Sequence, residues 1–510
     1  MKKALATLAA LGLLTSCNLA PPYLRPTSPV PDAFKEGGAT AANEAVSWDQ
    51  AHPRDDADRA KWWLMFGDPV LNKLEDQVQV SNQTLKGDEA AFREARALVV
   101  EARAELFPTV TTSPSYTAFR TSDNVHGGSS SAGATTTGSV SGGSSGSGAT
   151  SASGETGQIF SLPVEATYEP DLWGRVRNTV ASDVYTAQAT AADLANARLS
   201  LQAQLAQDYF QLRATDEEQR IQDATIGAYR QDLSVAQSLF RNGIDSDEDI
   251  SQAQSQLDAA VAAGADIGAS RAQFEHAIAV LVGKAPSEVT IPVTTFVFVN
   301  VQVPVVLPSK LLERRPDIAG AERRVASANA QIGVARAAYF PTLDLDATGG
   351  FESSHFANWL AWPSRFWSLG PELSETLLDF GARRGENELA RAEYDQAVAT
   401  YRETVLTAFQ SVEDNLAILR ILSGEIRLRE TAAKSSRHFL DLSQTRFKEG
   451  IDSYLNVAAA QTADLANENS VVETQLRQMM ASVSLVMAVG GGWVQSDLPS
   501  PSHLELVPAK

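Results

Sequence analysis

For a metal centre or an activated nucleophile this 510-residue chain offers only six histidines and a single cysteine beside its carboxylates and hydroxyls. A zinc site needs three or four Cys, His or carboxylate ligands at short, recognisable spacings. The histidines are scattered, and His276 and His438 stand alone in segments of helical periodicity, where a lone imidazole is structural or solvated. Without a second cysteine no intramolecular disulfide can form. Acidic neighbours such as Glu217 and Glu218 fall in a heptad segment, where a solvated helix face is the default reading. There is no phosphate-cradling glycine loop and no nucleophile elbow between a strand and a helix. The residues therefore call for no catalysis, no cofactor and no metal.

Cys17 is the one position where covalent chemistry is written in the sequence. Lys2 and Lys3 precede an apolar stretch, Ala4 to Leu14, that ends at small residues before the cysteine. This order of basic, apolar and small residues is a secretory signal. An apolar run of about 11 residues is too short to cross roughly 30 Å of hydrocarbon as a helix. Leu14-Thr15-Ser16-Cys17 looks like a bacterial lipobox, in which the cysteine is lipidated and becomes the mature N-terminus; an ordinary signal peptide ending near a cysteine is the alternative. Asn18 follows rather than Asp, which leaves the sorting address open. One acyl anchor holds weakly, so the protein body is expected to engage the membrane as well.

The formal charge of −20 becomes −22 once Lys2 and Lys3 are removed, with 40 basic against 62 acidic residues. Such a chain lacks the basic surface that nucleic-acid phosphates require. Downstream of the signal no run approaches the 18 consecutive apolar residues of a transmembrane helix. A membrane crossing would have to be made by strands in a closed barrel, the other arrangement that satisfies every backbone hydrogen bond in lipid.

The chain is internally duplicated. Phe240-Arg-Asn-Gly-Ile-Asp-Ser246 recurs as Phe447-Lys-Glu-Gly-Ile-Asp-Ser453, an offset of 207 positions, and Trp173-Gly174 recurs as Phe380-Gly381 at the same offset. Ala102 to Thr109, which contains Phe107-Pro108, is echoed by Ala335 to Thr342 with Phe340-Pro341, but at an offset of 233. The first copy thus carries 26 extra residues between its Phe-Pro and Trp-Gly motifs. They lie in the Ser/Gly/Thr/Ala tract 122–157, which buries too little apolar surface to order itself and reads as an insertion at a loop tip.

The segments after each Phe-Pro alternate. Leu106, Pro108, Val110, Pro114 and Tyr116 fall on one side of a strand, with Thr109, Thr111, Ser113 and Ser115 on the other. Tyr339, Leu343, Leu345, Ala347 and Phe351 likewise oppose Thr342, Asp344, Asp346, Thr348 and Glu352. The return strands set Phe160, Leu162, Val164, Ala166 and Tyr168 against Ser161, Glu165, Thr167 and Glu169, and Trp367, Leu369 and Leu373 against Ser368, Glu372 and Ser374. This pattern fits strands between lipid and a watery lumen, and strand by strand it fits a half-buried soluble hairpin equally. Two hairpins make four strands, whereas a bacterial barrel needs at least about eight. Closure takes several copies, and three would supply twelve strands. Glu165, Asp344, Asp346, Glu352 and Glu372 share the polar side, where they either favour cations in a lumen or simply hydrate its wall. Phe119, Trp359, Trp362, Phe366 and Trp367 are candidates for interfacial girdles, with ordinary packing as the competitor.

Between the hairpins the pattern predicts long helices. Arg175 to Arg241 and Ala382 to Lys448 contain no proline, and about 67 residues at 1.5 Å each make a rod of roughly 100 Å. Leu205, Leu212, Ile226, Leu233 and Phe240 sit on a seven-residue repeat, matched by Val412, Leu419, Ile426, Ala433, Leu440 and Phe447. Sustained heptads signal coiled-coil packing. Each rod is expected to turn at Gly243 or Gly450, where a helix end calls for positive φ, and to return as a second helix.

At this point the residues resemble a known family, the TolC-like outer-membrane factors, and within it the lipoproteins of RND-type tripartite efflux pumps. The resemblance rests on Trp63-Leu-Met-Phe66-Gly-Asp68-Pro69-Val-Leu71, on Leu311-Leu-Glu313-Arg314-Arg315-Pro316-Asp317-Ile318 followed by Ala321-Glu322, on the Phe-Pro motifs and on Gly490-Gly-Gly492-Trp493. It implies a mainly α fold with a transmembrane β-barrel: a homotrimer in which four strands per chain build a twelve-stranded barrel that continues into a long periplasmic α-helical barrel. The expected divisions are a signal peptide 1–16, an anchor segment and first helices 17–105, a first hairpin 106–170, a first helical hairpin 171–290, an equatorial linker and helix 291–338, a second hairpin 339–379, a second helical hairpin 380–489 and an equatorial tail 490–510.

The resemblance also implies partners, namely a periplasmic membrane-fusion adaptor, an inner-membrane pump and outer-membrane lipid. The adaptor would meet two tips, Arg241, Asn242, Gly243, Ile244, Asp245 and Ser246 in the first copy and Lys448, Glu449, Gly450, Ile451, Asp452 and Ser453 in the second. The family pattern places an aspartate ring just past the second tip, but here that position is Ala459. Asp249, Asp452 and Asn456 remain the periplasmic gate candidates, with a solvated helix start the equal alternative for Asp247, Glu248 and Asp249. The implied function is a passive exit duct for efflux. A type I protein-secretion duct and a non-conducting periplasm-spanning tether are the other readings.

Overall fold

The computed structural model describes residues 18–31, 33–38, 59–120, 156–243, 246–295 and 313–505. They form two compact units, one from Met1–Pro22, Leu98–Asp183 and Asn329–Ala392, the other from Tyr23–Ala97, Val184–Ala328 and Glu393–Lys510.

The second unit is helical, and its opening motif is a core with a cap. Helix α1 covers Pro69–Ser81 and α2 Gln83–Ala104. Asp68 caps α1 by accepting from the backbone N–H groups of Val70 and Leu71 at 2.7 and 3.1 Å, with Pro69 at the first helical position, where a missing N–H costs nothing. The same carboxylate accepts the Tyr209 hydroxyl at 2.5 Å. Trp63, Phe66 and Leu71 are buried with Tyr209, Phe210 and Ile318 in one core. Hence the Trp-to-Leu signature is a packing and capping device.

Helices α3 (Arg175–Arg241) and α4 (Asp247–Leu281) make the first helical pair, α5 covers Pro316–Ala337, and α6 (Ala382–Lys448) with α7 (Tyr454–Ala488) makes the second pair. Both long helices have 67 residues and both returning helices have 35, so the duplication is kept to the residue. Leu205, Leu212, Ile226, Leu233, Val412, Ile426, Leu440 and Phe447 are buried, as the heptads predict. Phe240 departs from that expectation at 45% exposed, against 2% for its counterpart Phe447. Phe447 is covered by Tyr454, ring centroids 5.6 Å apart, whereas the position matching Tyr454 in the first copy is Asp247.

Two distant motifs meet in this unit. The Arg315 guanidinium donates to the Ala488 carbonyl at 2.9 Å and pairs with Asp317 at 2.5 Å. Gly490, at φ 95°, lies so close to the Arg314 carbonyl that a Cβ would overlap it. The Arg-Arg-Pro-Asp and Gly-Gly-Gly signatures are therefore two sides of one contact. Asp216 is held by Arg213 (3.0 Å) and Arg271 (2.7 Å), which also donate to the carbonyls of Pro292 and Ile291 respectively, both at 2.7 Å. Glu275 accepts the Ile291 N–H at 2.6 Å, so a buried ion network pins the start of the segment between the repeats.

The first unit holds one antiparallel sheet. Strands β1 (Thr109–Thr112) and β2 (Ser115–Arg120) both pair with β3 (Thr156–Tyr168), which pairs with β4 (Thr342–Ser353), and β4 with β5 (Arg365–Ser374). Thr109↔Thr167 and Arg120↔Thr156 belong to one unbroken register, so β1 and β2 are a single strand interrupted at Ser113-Pro114. The gap falls beside Pro163 of β3; two prolines lack the N–H donors a ladder needs there. The expected four strands are thus present. Thr156 and Gly157, expected in the Ser/Gly loop, are already paired strand residues, and 121–155 lies outside the described residues. No described helix is long and apolar enough to cross a membrane.

Candidate functional site

Residues directly opposite in an antiparallel sheet share a face, so the register sorts every strand side chain. One face carries Val110, Tyr116, Phe160, Leu162, Val164, Leu343, Leu345, Phe351, Trp367, Leu369 and Leu373. The opposite face carries Thr109, Thr111, Ser161, Thr348 and Ser368 together with all five expected carboxylates, Glu165, Asp344, Asp346, Glu352 and Glu372. Asp344 lies directly opposite Glu372, an arrangement that is repulsive unless water or cations screen it. The two arginines of the strands, Arg120 and Arg365, stand on the apolar face, so no strand cation neutralises the carboxylates. Among the described residues no group of acidic, His or Cys side chains is arranged to hold a metal ion.

The girdle expectation needs correction. Phe119 and Phe366 point to the carboxylate face, because each is out of phase with its apolar neighbours by one residue. Phe119 lies over Gly157, where a Cβ would come within 2.7 Å of its ring. Trp367 alone of the five is a strand residue on the apolar face. Trp359 and Trp362 belong to the turns between β4 and β5, where Trp359 packs on Phe160 and Phe356, and Arg365 sits 4.1 Å over the Trp362 ring.

Both helical tips turn on glycine. Gly243 and Gly450 have φ of 72° and 70°, a conformation that costs other residues steric strain. Their N–H groups donate to Phe240 and Phe447 carbonyls at 2.9 Å, and the Ile451 N–H reaches back to the Arg446 carbonyl at 2.9 Å, satisfying helix-end acceptors. Ile244 and Asp245 lie outside the described residues. Arg241, Asn242, Lys448, Glu449 and Ser453 are exposed, and so is Ile451.

The gate candidates are tied into local caps. Ser246 and Asp249 form a capping box on α4, the serine hydroxyl donating to the Asp249 carboxylate at 2.6 Å. Asp452 accepts from Asn456 Nδ2 at 2.5 Å and from Arg446 at 3.3 Å, and these hydrogen bonds hold its carboxyl below the usual carboxylate range. Ala459 is exposed and brings no charge.

Sequence reasoning missed a polar cluster just inside the tips. Asp232 of α3 is buried and accepts from Gln461 Nε2 of α7; burial pushes its carboxyl up. The Tyr454 hydroxyl and Gln461 Oε1 are buried there without hydrogen-bond partners. Glu75 was also missed. It is fully buried on α1 among Leu71, Leu74 and Val78, neither oxygen has a hydrogen-bond partner, and burial pushes its carboxyl up to about 9. The only sequence signal was an acidic residue in phase with an apolar stripe.

A sheet with one apolar and one acidic face, in a chain otherwise made of paired long helices, is the architecture expected of an outer-membrane channel with α and β parts. The chain belongs to the outer membrane efflux protein family, which matches residues 74–284 and 307–491. It is 28% identical over 497 residues to the toluene efflux pump outer membrane protein TtgC of Pseudomonas putida, covering 97% of each chain. The solved outer-membrane channel OprN superposes with a TM-score of 0.80 at 26% identity, over 94% of this chain and 100% of that one. The CmeC outer membrane channel of Campylobacter jejuni has the same fold, with a TM-score of 0.82 at 21% identity over 95% and 97% of the two chains. The protein is an outer-membrane efflux channel, an exit duct through that membrane.

Proposed function

We propose that three copies of this chain close one twelve-stranded barrel, with the apolar strand face toward lipid and the carboxylate face toward the lumen. The observation that carries this reading is the sheet: four strands, two open edges and two chemically opposite faces. An open edge leaves N–H and C=O groups that lipid cannot satisfy. Four strands are too few to close a barrel that needs about eight or more, and three copies supply twelve.

In this reading the duct works in a tripartite system and conducts passively, while an inner-membrane pump supplies the energy through a periplasmic adaptor. The adaptor meets the two tips, Arg241 to Ser246 and Lys448 to Ser453. Asp249, Asp452 and Asn456 are the periplasmic gate candidates in this reading. Cys17 carries the lipid anchor. Support for its placement comes from the residues that follow it: Arg336 donates to the Leu19 carbonyl at 3.2 Å and Asn329 to the Pro21 carbonyl at 2.8 Å, which ties the N-terminal strap to the last turns of α5, just before β4.

Single-channel recording of the purified protein in a planar bilayer tests the reading. Stepwise, cation-selective conductance is the expected result, and its absence would leave a non-conducting tether. Gly243→Val or Gly450→Val should cut drug efflux while assembled trimers persist; unchanged resistance in both would remove the adaptor role of the tips.

A further inference from the structure

The charges on the strands are sorted by position as well as by face. On the apolar face the charged strand residues are Arg120 and Arg365, the last residue of β2 and the first of β5, while all the strand carboxylates lie on the other face. Both arginines stand at the same end of the sheet. The helices join the strands at the opposite end: α2 ends at Ala104 before β1, α3 starts at Arg175 after β3, α5 ends at Ala337 before β4 and α6 starts at Ala382 after β5. The apolar face thus carries positive charge only, and only at the end of the β4–β5 turn.

Arg365 lies directly opposite Phe351 and in phase with Trp367, Leu369 and Leu373. At about 3.3 Å per residue, Arg365 to Leu373 spans roughly 26 Å of strand, comparable to the roughly 25 Å apolar band of an outer-membrane barrel. A charge is costly at the middle of such a band and nearly free at its edge, which is where Arg365 stands. Its guanidinium carbon sits 4.1 Å over the Trp362 ring. Trp362 and Trp367 are 71% and 78% exposed, and Leu369 and Leu373 are exposed as well. A guanidinium resting on an aromatic face keeps its in-plane N–H groups for an anion, in the fork that meets a phosphate bidentately. No carboxylate of the strands shares its face, and among the described residues Arg365 forms no ion pair.

We propose that Arg365 and Trp362 form a headgroup site for a phosphate-bearing lipid of the outer leaflet, whose acyl chains lie along Trp367, Leu369 and Leu373. This rests on the barrel orientation proposed above, in which the apolar face meets lipid and the helices extend into the periplasm, so that the β4–β5 turn faces outward. Charge complementarity names the occupant. A zwitterionic headgroup brings its own cation and leaves the guanidinium little to gain, whereas a phosphomonoester carries about −1.5 to −2 charges and three acceptor oxygens. The chain as a whole, at a formal charge of −20, repels such a lipid. A cation placed on the lipid side, screened from the carboxylates by the sheet itself, supplies the local attraction. Inorganic phosphate would use the guanidinium alone, and only a lipid uses the apolar track below it.

Full-length protein, stripped of lipid in detergent, is titrated with bisphosphorylated lipid A and with the same lipid dephosphorylated, and bound lipid is read by native mass spectrometry. Wild type should hold the bisphosphorylated lipid about tenfold more tightly than Arg365→Ala, the loss of one charge-assisted contact. Arg365→Lys should fall between them, because an ammonium keeps the charge without the fork. The dephosphorylated lipid should bind all three alike. Equal affinity of wild type and Arg365→Ala for the bisphosphorylated lipid overturns the site. Equally effective competition by inorganic phosphate also overturns it, since the acyl chains would then contribute nothing. The orientation is read separately, in vesicles, by labelling Leu369→Cys with a water-soluble maleimide, with wild type, whose one cysteine is Cys17, as the control. Ready labelling refutes the barrel orientation and the site with it. Protection of Leu369→Cys together with equal lipid affinities refutes the headgroup site alone.

Discussion

Replacing Glu75 by glutamine should stabilise the protein, and by an amount that depends on pH. The Glu75 carboxyl is fully buried with no hydrogen-bond partner, and burial, with a smaller contribution from the neighbouring Asp76 carboxylate, raises it from 4.5 to about 9. Between those values the folded chain keeps a proton that the unfolded chain releases. Folding must then take up a proton, so stability is lost as pH rises from the unfolded value toward the folded one. At pH 7 the gap is about 2.5 pH units above the unfolded value, which costs about 3 kcal/mol, and at pH 8 about 5 kcal/mol. For a chain of this length 1 kcal/mol moves the melting midpoint by about 1 °C. Melting of the purified protein followed by circular dichroism should therefore show Glu75→Gln and wild type nearly together at pH 5, and the variant ahead by about 3 °C at pH 7. The gap should widen further at pH 8. A constant gap across this range, or a variant that melts lower throughout, would refute the assignment of a neutral buried acid.

Asp216→Asn should cost about 3–5 kcal/mol, because it strips the shared buried carboxylate from buried Arg213 and half-buried Arg271; hydrogen exchange should speed up across 291–295, and unchanged protection there would count against the network. Tyr454→Phe removes a buried hydroxyl that has no partner, and should raise the melting midpoint by about 1 °C rather than lower it. Gly350→Ala would drive a methyl group into the Leu162 carbonyl across the β3–β4 ladder and should abolish assembled protein in the outer membrane. Gly370→Ala, with open space around it, is the neutral control.

The elements whose periodicity is local were legible before any coordinates. Helices of 67 residues begin and end where the proline-free heptad segments do, and the tips fall on Gly243 and Gly450, because a helix end needs a residue that tolerates positive φ. The separation of five carboxylates from the apolar strand residues follows from a period of two, which survives any register that respects the faces. The aromatics Phe119 and Phe366 were misassigned for the same reason in reverse: residue type alone suggested lipid, while phase places them with the acids.

What the sequence by itself determined was the acidic balance of the chain, together with the duplication, the alternation of strand faces and the heptad rods, which repeat within a few residues or recur at a fixed offset. Tertiary structure alone decided the contacts between segments far apart: that Arg315 reaches Ala488 beside Gly490, that Asp68 serves both α1 and Tyr209, that Tyr454 covers Phe447 while Asp247 leaves Phe240 bare, and that Glu75 has no partner. Such contacts depend on how helices pack side by side, and packing is set by the shapes of many side chains together rather than by any one segment's pattern.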